Sequence, residues 1–373
     1  MSSAGSEPSH PASTVPEPAI WKEDWPAARR AFADWWAGKG LAPFVTAPAE
    51  KPREDWPWPD EPPDLETRWL SPAYRAASQL AYLSRTFHGG VALPIFNANI
   101  GPGSLGLFLG CEGRLAETTV WYEPTLHDPD NHPPLRFDPA NPWFQIHMAL
   151  IEEALRHAEG RYLVGIPDLI ENLDTLAQLR GPEQTLLDIL ERPEWMVERI
   201  QEINQAFFEA FDAIAACTRD FWGGTSFHAF MIWGLGRTAK LQCDFSCMIS
   251  PAQFRRLVFP ALQEQIRWLD HALYHLDGTQ ALPQLPNLLD LEGLHAIEWT
   301  PQAGLPGGGS PEWYGLYRQI KRAGKAVQAI GVAPEEVEPL LDAVGPEGMF
   351  VMTSTPTEEE ARRLLERVGW RAD

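Results

Sequence analysis

Cysteine is scarce. There are four, Cys111, Cys217, Cys243 and Cys247, and none forms a Cys-x-x-Cys pair. That excludes a disulfide framework and a zinc knuckle, and it implies reduced thiols in a reducing compartment. No apolar run approaches the roughly 20 residues of a membrane helix. Met1 to Pro18 is rich in Ser, Pro, Ala and Glu and lacks the basic-then-apolar pattern of a secretory signal. Residues 1–20 are expected to be a disordered tail, and the protein to be cytoplasmic. Positive charge is also in short supply, with 30 Lys and Arg against 51 Asp and Glu, a net −21. Such a surface repels nucleic acid and anionic membranes, which removes both as partners. A dinucleotide fingerprint is missing too. Gly101-Pro102-Gly103 lacks the G-x-G-x-x-G spacing, and Gly307-Gly308-Gly309 is an isolated glycine run.

Tryptophan, by contrast, is abundant, with 16 in 373 residues. Seven crowd the first part of the chain: Trp21, Trp25, Trp35, Trp36, Trp56, Trp58 and Trp69. Rings of that size bury large apolar areas, so residues 21–90 are expected to pack as a helical extension on the main domain. Helices are expected over Trp21–Gly38 and Ser71–Phe87, with a proline-rich wrapping loop over Ala42–Pro63.

From Val91 onward, short apolar runs alternate with amphipathic helices. Candidate strands are Val91–Asn97, Arg161–Gly165, Phe227–Trp233, Leu241–Phe245, Leu273–Leu276, Leu294–Trp299, Ala326–Ile330 and Met349–Thr353, with Thr118–Tyr122 as an accessory strand. Strict alternation points to a parallel sheet. About eight strands, most followed by a helix, predict an α/β fold: a (β/α)8 TIM-type barrel over residues 91–373. An open doubly wound sheet is the alternative.

Barrels of this kind carry their chemistry at the C-terminal strand ends. Polar residues expected there are Asn97, Asn99, Asp168, Asp244, Ser246, His275, Asp277, Glu298, Gln328, Thr353 and Ser354, with Trp233 and Trp299 alongside. His275 and Asp277 form the sharpest pair. In an extended chain residues i and i+2 face one side, so an imidazole and a carboxylate can reach one ligand or one metal. The alternative is a histidine merely oriented by a carboxylate. Gly278 lets the chain turn immediately afterwards. Cys243 and Cys247 are read as core thiols.

These motifs resemble the uroporphyrinogen decarboxylase superfamily, from about Val91 to the C-terminus. The resemblance rests on Gly165-Ile166-Pro167-Asp168-Leu169 with Leu179-Arg180-Gly181-Pro182-Glu183, on Cys243-Asp244-Phe245-Ser246 with Ile249-Ser250-Pro251 and Phe259-Pro260, and on Tyr274-His275-Leu276-Asp277-Gly278. It implies the same barrel, and either porphyrinogen decarboxylation or methyl transfer involving methylated corrinoid proteins. The decarboxylases' Arg-Gln-Ala-Gly-Arg-Tyr signature is absent, and the nearest basic candidates are Arg237 and Lys240. The zinc-dependent methyltransferases place a His-x-Cys pair where this chain has His275-x-Asp277, and a later Cys where it has Thr353-Ser354.

The leading expectation is therefore a methyltransferase acting on a small methylated substrate or a methylcobamide. His275, Asp277, Glu298 and Asp168 are the expected catalytic residues. Asn97, Asn99, Asp244, Ser246, Trp233, Trp299 and Arg237 are expected to bind substrate. A divalent metal is expected, if any, at His275 and Asp277. Expected partners are a small molecule or a corrinoid protein, or a second copy in a homodimer. The alternatives are porphyrinogen decarboxylation and non-catalytic binding of a tetrapyrrole or corrinoid protein.

Overall fold

The computed structural model describes residues 21–372; the tail expected over residues 1–20 lies outside them. The strands are β1 (Leu41–Pro48), β2 (Thr86–Gly90), β3 (Ile95–Phe96), β4 (Glu112–Leu115), β5 (Val120–Glu123), β6 (Leu163–Val164), β7 (Gly224–Phe227), β8 (Ile232–Leu235), β9 (Thr238–Gln242), β10 (His271–Asp277), β11 (Ala296–Thr300), β12 (Ala326–Ala329) and β13 (Met349–Ser354). The fold is mixed α/β. Its central sheet has seven strands in the order β2-β1-β13-β12-β11-β10-β9. Every pair in it is parallel except β1 with β2. β9 and β12 are buried along their whole length, as expected where a parallel sheet is covered on both faces.

The remaining strands are short. β3 pairs in parallel with β6, β4 forms a hairpin with β5, and β7 forms a hairpin with β8. A bridge between Ile166 and Phe227 links the end of β6 to β7. The Thr238 N–H of β9 donates to Thr225 Oγ1 of β7 at 2.9 Å.

Several sequence expectations need correction. Leu41–Pro48, read as loop because of its prolines, is a sheet strand. It survives Pro43 because the Pro43 carbonyl still accepts from Val91 N–H at 2.8 Å. Phe227–Trp233 is not one strand. A tight turn divides it, with Phe230 and Met231 at φ 62° and 54°. The strand expected to run to Phe245 stops at Gln242, and Asp244–Met248 turns as a 3-10 helix. The reading of both cysteines as core thiols therefore fits Cys243, which is buried, but not Cys247, which this turn leaves exposed. Two helices follow, Pro251–Leu257 and Phe259–Trp268, with Pro260 in the first turn of the second.

The helix Trp25–Trp36 seals the N-terminal end of the sheet. Trp25, Phe32, Trp35 and Trp36 are all buried. Trp35 Nε1 donates to the Val327 carbonyl and Trp36 Nε1 to the Trp233 carbonyl. Trp36 also packs on His271 and His295, near the starts of β10 and β11. No helix of the described residues is long and apolar enough to cross a membrane.

Candidate functional site

Register places the site. Across four neighbouring strands, Gln242 of β9, His275 of β10, Glu298 of β11 and Gln328 of β12 are direct partners in one row. Side chains in such a row leave the sheet on one face. Gln242, Glu298 and Gln328 are fully or almost fully buried, so each must find partners within the protein.

His275 Nδ1 lies 2.5 Å from Glu298 Oε2. The other Glu298 oxygen accepts from Thr300 Oγ1 at 2.8 Å. That pair fixes the imidazole and leaves Nε2 facing the end of the sheet, 3.9 Å from Asp244 Oδ1. Burial works against charge on His275, but the Glu298 carboxylate outweighs it and holds the imidazole above its ordinary value. Burial pushes Glu298 upward as well. Phe230 packs on the imidazole, with ring centroids 4.6 Å apart. Gln328 Nε2 donates to the Phe230 carbonyl at 2.7 Å, anchoring that left-handed turn.

A second network runs alongside. Lys240 is fully buried and pairs with Asp168 at 2.7 Å. Its Nζ also donates to Gln242 Oε1. Gln242 Nε2 donates to Asp174 Oδ2 and to Asp244 Oδ2. Asp174 accepts the backbone N–H groups of Asp244 and Phe245, each at 2.8 Å, and so fixes the turn that carries Asp244. Burial first, and Asp174 second, raise Asp244 to about 6. Burial raises Glu171 to about 8; one of its oxygens accepts the Gln242 N–H and the other has no partner among the described residues. Burial pulls Lys240 down, yet Asp168 and Glu171 carry it above its ordinary value.

The structure brings together His275, Asp277, Glu298 and Asp244. One ligand atom from each of Asp244, His275 and Asp277 lies within 4.8 Å of the others. Gly278 follows at φ 73° and turns the chain away. The trio offers one nitrogen and two carboxylates, a donor set suited to a hard divalent cation. A histidine whose second ring nitrogen meets a carboxylate is also the usual arrangement behind a metal-bound imidazole. Thiolate zinc does not fit, because no cysteine belongs to the trio and burial drives the Cys243 thiol well above its ordinary value.

Other expected residues stand elsewhere. Asp168 belongs to the Lys240 network, and its N–H is held by Asn99 Oδ1. The Asn97 and Asn99 carbonyls accept from the buried Arg75 guanidinium. Ser246 is buried, and its carbonyl accepts from Gln284. Trp299 alternates with Glu298 and Thr300 and packs on Trp313 instead. Trp233 donates to Asp220 and packs on Trp25 and Phe32, at the N-terminal end of the sheet. Arg237 precedes β9 at that same end and pairs with Asp212.

Asp174, Glu171 and Gln242 were missed. Gln242 is a strand-end polar residue once β9 is ended correctly. Asp174 sits on the helix Asn172–Arg180, so a search of strand ends passed over it. The available signal was the Glu171-Asn172-x-Asp174 cluster amid apolar neighbours. The backbone is strained there, with Ile170 and Asn172 both at φ 48°. A left-handed β-branched residue costs about 1–3 kcal/mol and marks a conformation that its surroundings impose.

No family model and no curated protein matches this sequence. Among solved structures, the chain is similar to a methyltransferase from Methanosarcina mazei, with a TM-score of 0.60 at 11% identity. The match covers 91% of this chain and 97% of that one. At that identity the likeness concerns the fold.

Proposed function

We propose that this protein transfers a methyl group between a small methylated substrate and a corrinoid, at the C-terminal end of a (β/α)8-type barrel. The barrel reading is supported by the links from β3 through β6 to β7 and β9, which continue the arc of the central sheet. The observation that carries the functional reading is the Glu298–His275 pair. It presents a fixed, upward-shifted imidazole to Asp244 and Asp277 where strands of this kind place chemistry. The likeness in fold to a methyltransferase over nearly the full length adds to it.

His275 Nε2 is the group that gives a proton to, or takes one from, the heteroatom that loses or gains the methyl. Glu298 holds the ring and keeps its proton available. Asp277 and Asp244 orient that heteroatom. A divalent ion held by Asp244, His275 and Asp277 would occupy Nε2 in place of that proton and would then act as a Lewis acid toward the same atom. Porphyrinogen decarboxylation is less well supported. Its polycarboxylate substrate calls for Arg or Lys, and Lys240, the buried lysine beside the site, is already paired with Asp168.

The test incubates the purified protein with methylcobalamin and thiol or amine acceptors, and in reverse supplies cob(I)alamin with methylated amines, ethers and thioethers. Both arms are run with and without added divalent metal. Enzyme-dependent loss or gain of the cobalt–carbon absorbance is expected. No change in either direction would overturn the reading.

A further inference from the structure

Asp244 belongs to two places at once. On one side it faces His275; on the other it forms part of the wall of a cavity of 410 Å³. That volume falls in the range of roughly 300–1,000 Å³ typical of small-molecule sites. The β4–β5 hairpin and the helix Asn172–Arg180 supply half of its lining. Three aromatic side chains contribute, Trp121, Tyr122 and Phe245, and two carboxylates, Asp174 and Asp244. No Lys, Arg or His lines it.

Among the described residues, the charged atoms that line this cavity are acceptors only, the carboxylates of Asp174 and Asp244. Asp174 takes hydrogen bonds from two backbone N–H groups and from the Gln242 amide, all neutral donors. Its charge is therefore stabilised without being cancelled. The chain as a whole carries −21, which adds a field of the same sign.

An anion is repelled by every one of these features. A neutral ligand gains from the rings alone. A cation gains from the carboxylates and from the aromatic rings together. We propose that this cavity binds a small methylated ammonium compound, with Asp244 and Trp121 as its recognition residues. The inference rests on the methyl-transfer reading in one respect only: that reading makes the bound cation the methyl-bearing substrate.

The test is calorimetric, on the full chain at low salt. Tetramethylammonium and choline are compared with 3,3-dimethylbutan-1-ol, a neutral isostere of choline, and with 3,3-dimethylbutanoate. Choline is expected to bind about tenfold or more tightly than the neutral isostere, and the carboxylate not to bind measurably. Asp244→Asn should weaken choline binding about tenfold. Trp121 is largely exposed, so Trp121→Ala should fold normally and weaken binding about three- to tenfold. Arg237 pairs with Asp212 at the opposite end of the sheet and does not line the cavity, so Arg237→Ala should leave choline binding unchanged. Equal affinity for choline and its neutral isostere, preference for the carboxylate, or no binding of either cation would overturn the proposal. Cation binding without methyl transfer would sink the methyl-transfer reading and leave this one standing. Transfer from neutral donors alone, with no cation binding, would do the reverse.

Discussion

The two ends of the central sheet are built from opposite materials. At the N-terminal end, the helix Trp25–Trp36 buries Trp25, Phe32, Trp35 and Trp36 against β8 and the starts of β10 to β12. The Trp35 and Trp36 indole N–H groups each meet a backbone carbonyl, while Trp25 Nε1 is buried with no hydrogen-bond partner among the described residues. At the C-terminal end, Lys240, Asp168, Glu171, Asp174, His275 and Glu298 share the space beneath an open mouth where Asp244 and Asp277 are exposed. Apolar contact tolerates small shifts, whereas a buried charge network costs stability unless every partner is in place. The first end is held by apolar contact, and the second by a charge network that costs stability, as the proposed site requires.

The largest expected effect lies at the sealed end. Trp35→Ala should lower stability by about 3–5 kcal/mol, read by denaturant unfolding, while the remaining folded protein keeps its transfer activity. At the open end the balance should reverse. Glu298→Gln keeps the shape but removes the charge that holds His275 upward. Methyl transfer should fall about 10–100-fold, with a much smaller change in the unfolding midpoint than Trp35→Ala produces. Equal losses of stability from the two substitutions would erase the distinction between the ends.

A pH series sharpens it further. Folding raises Glu171 from its ordinary 4.5 to about 8. The folded protein thus keeps a proton that the unfolded chain releases. This stabilising contribution is complete below pH 4.5 and is lost as pH rises toward 8, with a slope of at most about 1.4 kcal/mol per pH unit. Glu171→Gln should flatten that slope in unfolding measured between pH 5 and 8. The smallest effect belongs to Arg237, whose pair with Asp212 lies at the surface of the sealed end. Arg237→Ala should change stability by no more than about 1 kcal/mol and leave transfer unaffected. An activity loss there would place substrate contacts at the wrong end.

How much of this was legible depends on which rule governed each residue. β10 to β13 could be read because continuous apolar runs bounded by turns mark buried parallel strands. His275, Asp277 and Glu298 could be read because a polar residue ending such a run has little reason to be there otherwise. β1 was hidden by its prolines, and the β7–β8 hairpin by Phe230 and Met231, which adopt left-handed backbone without glycine. Trp233 and Arg237 were misplaced for a related reason. With β7 and β8 merged into one strand, Trp233 counted as a C-terminal strand end, whereas β8 runs back toward the start of β9. Asp174 came from a helix, and only the folded chain shows that it clamps the Asp244 turn.

The most direct test of the account compares methyl transfer by the wild type and by His275→Ala, at matched folded fractions. Followed at the cobalt–carbon absorbance of methylcobalamin, the folded variant should lose at least about 100-fold in rate, beyond the stability it loses when buried Glu298 is left without its partner. Transfer at the wild-type rate by folded His275→Ala would contradict it.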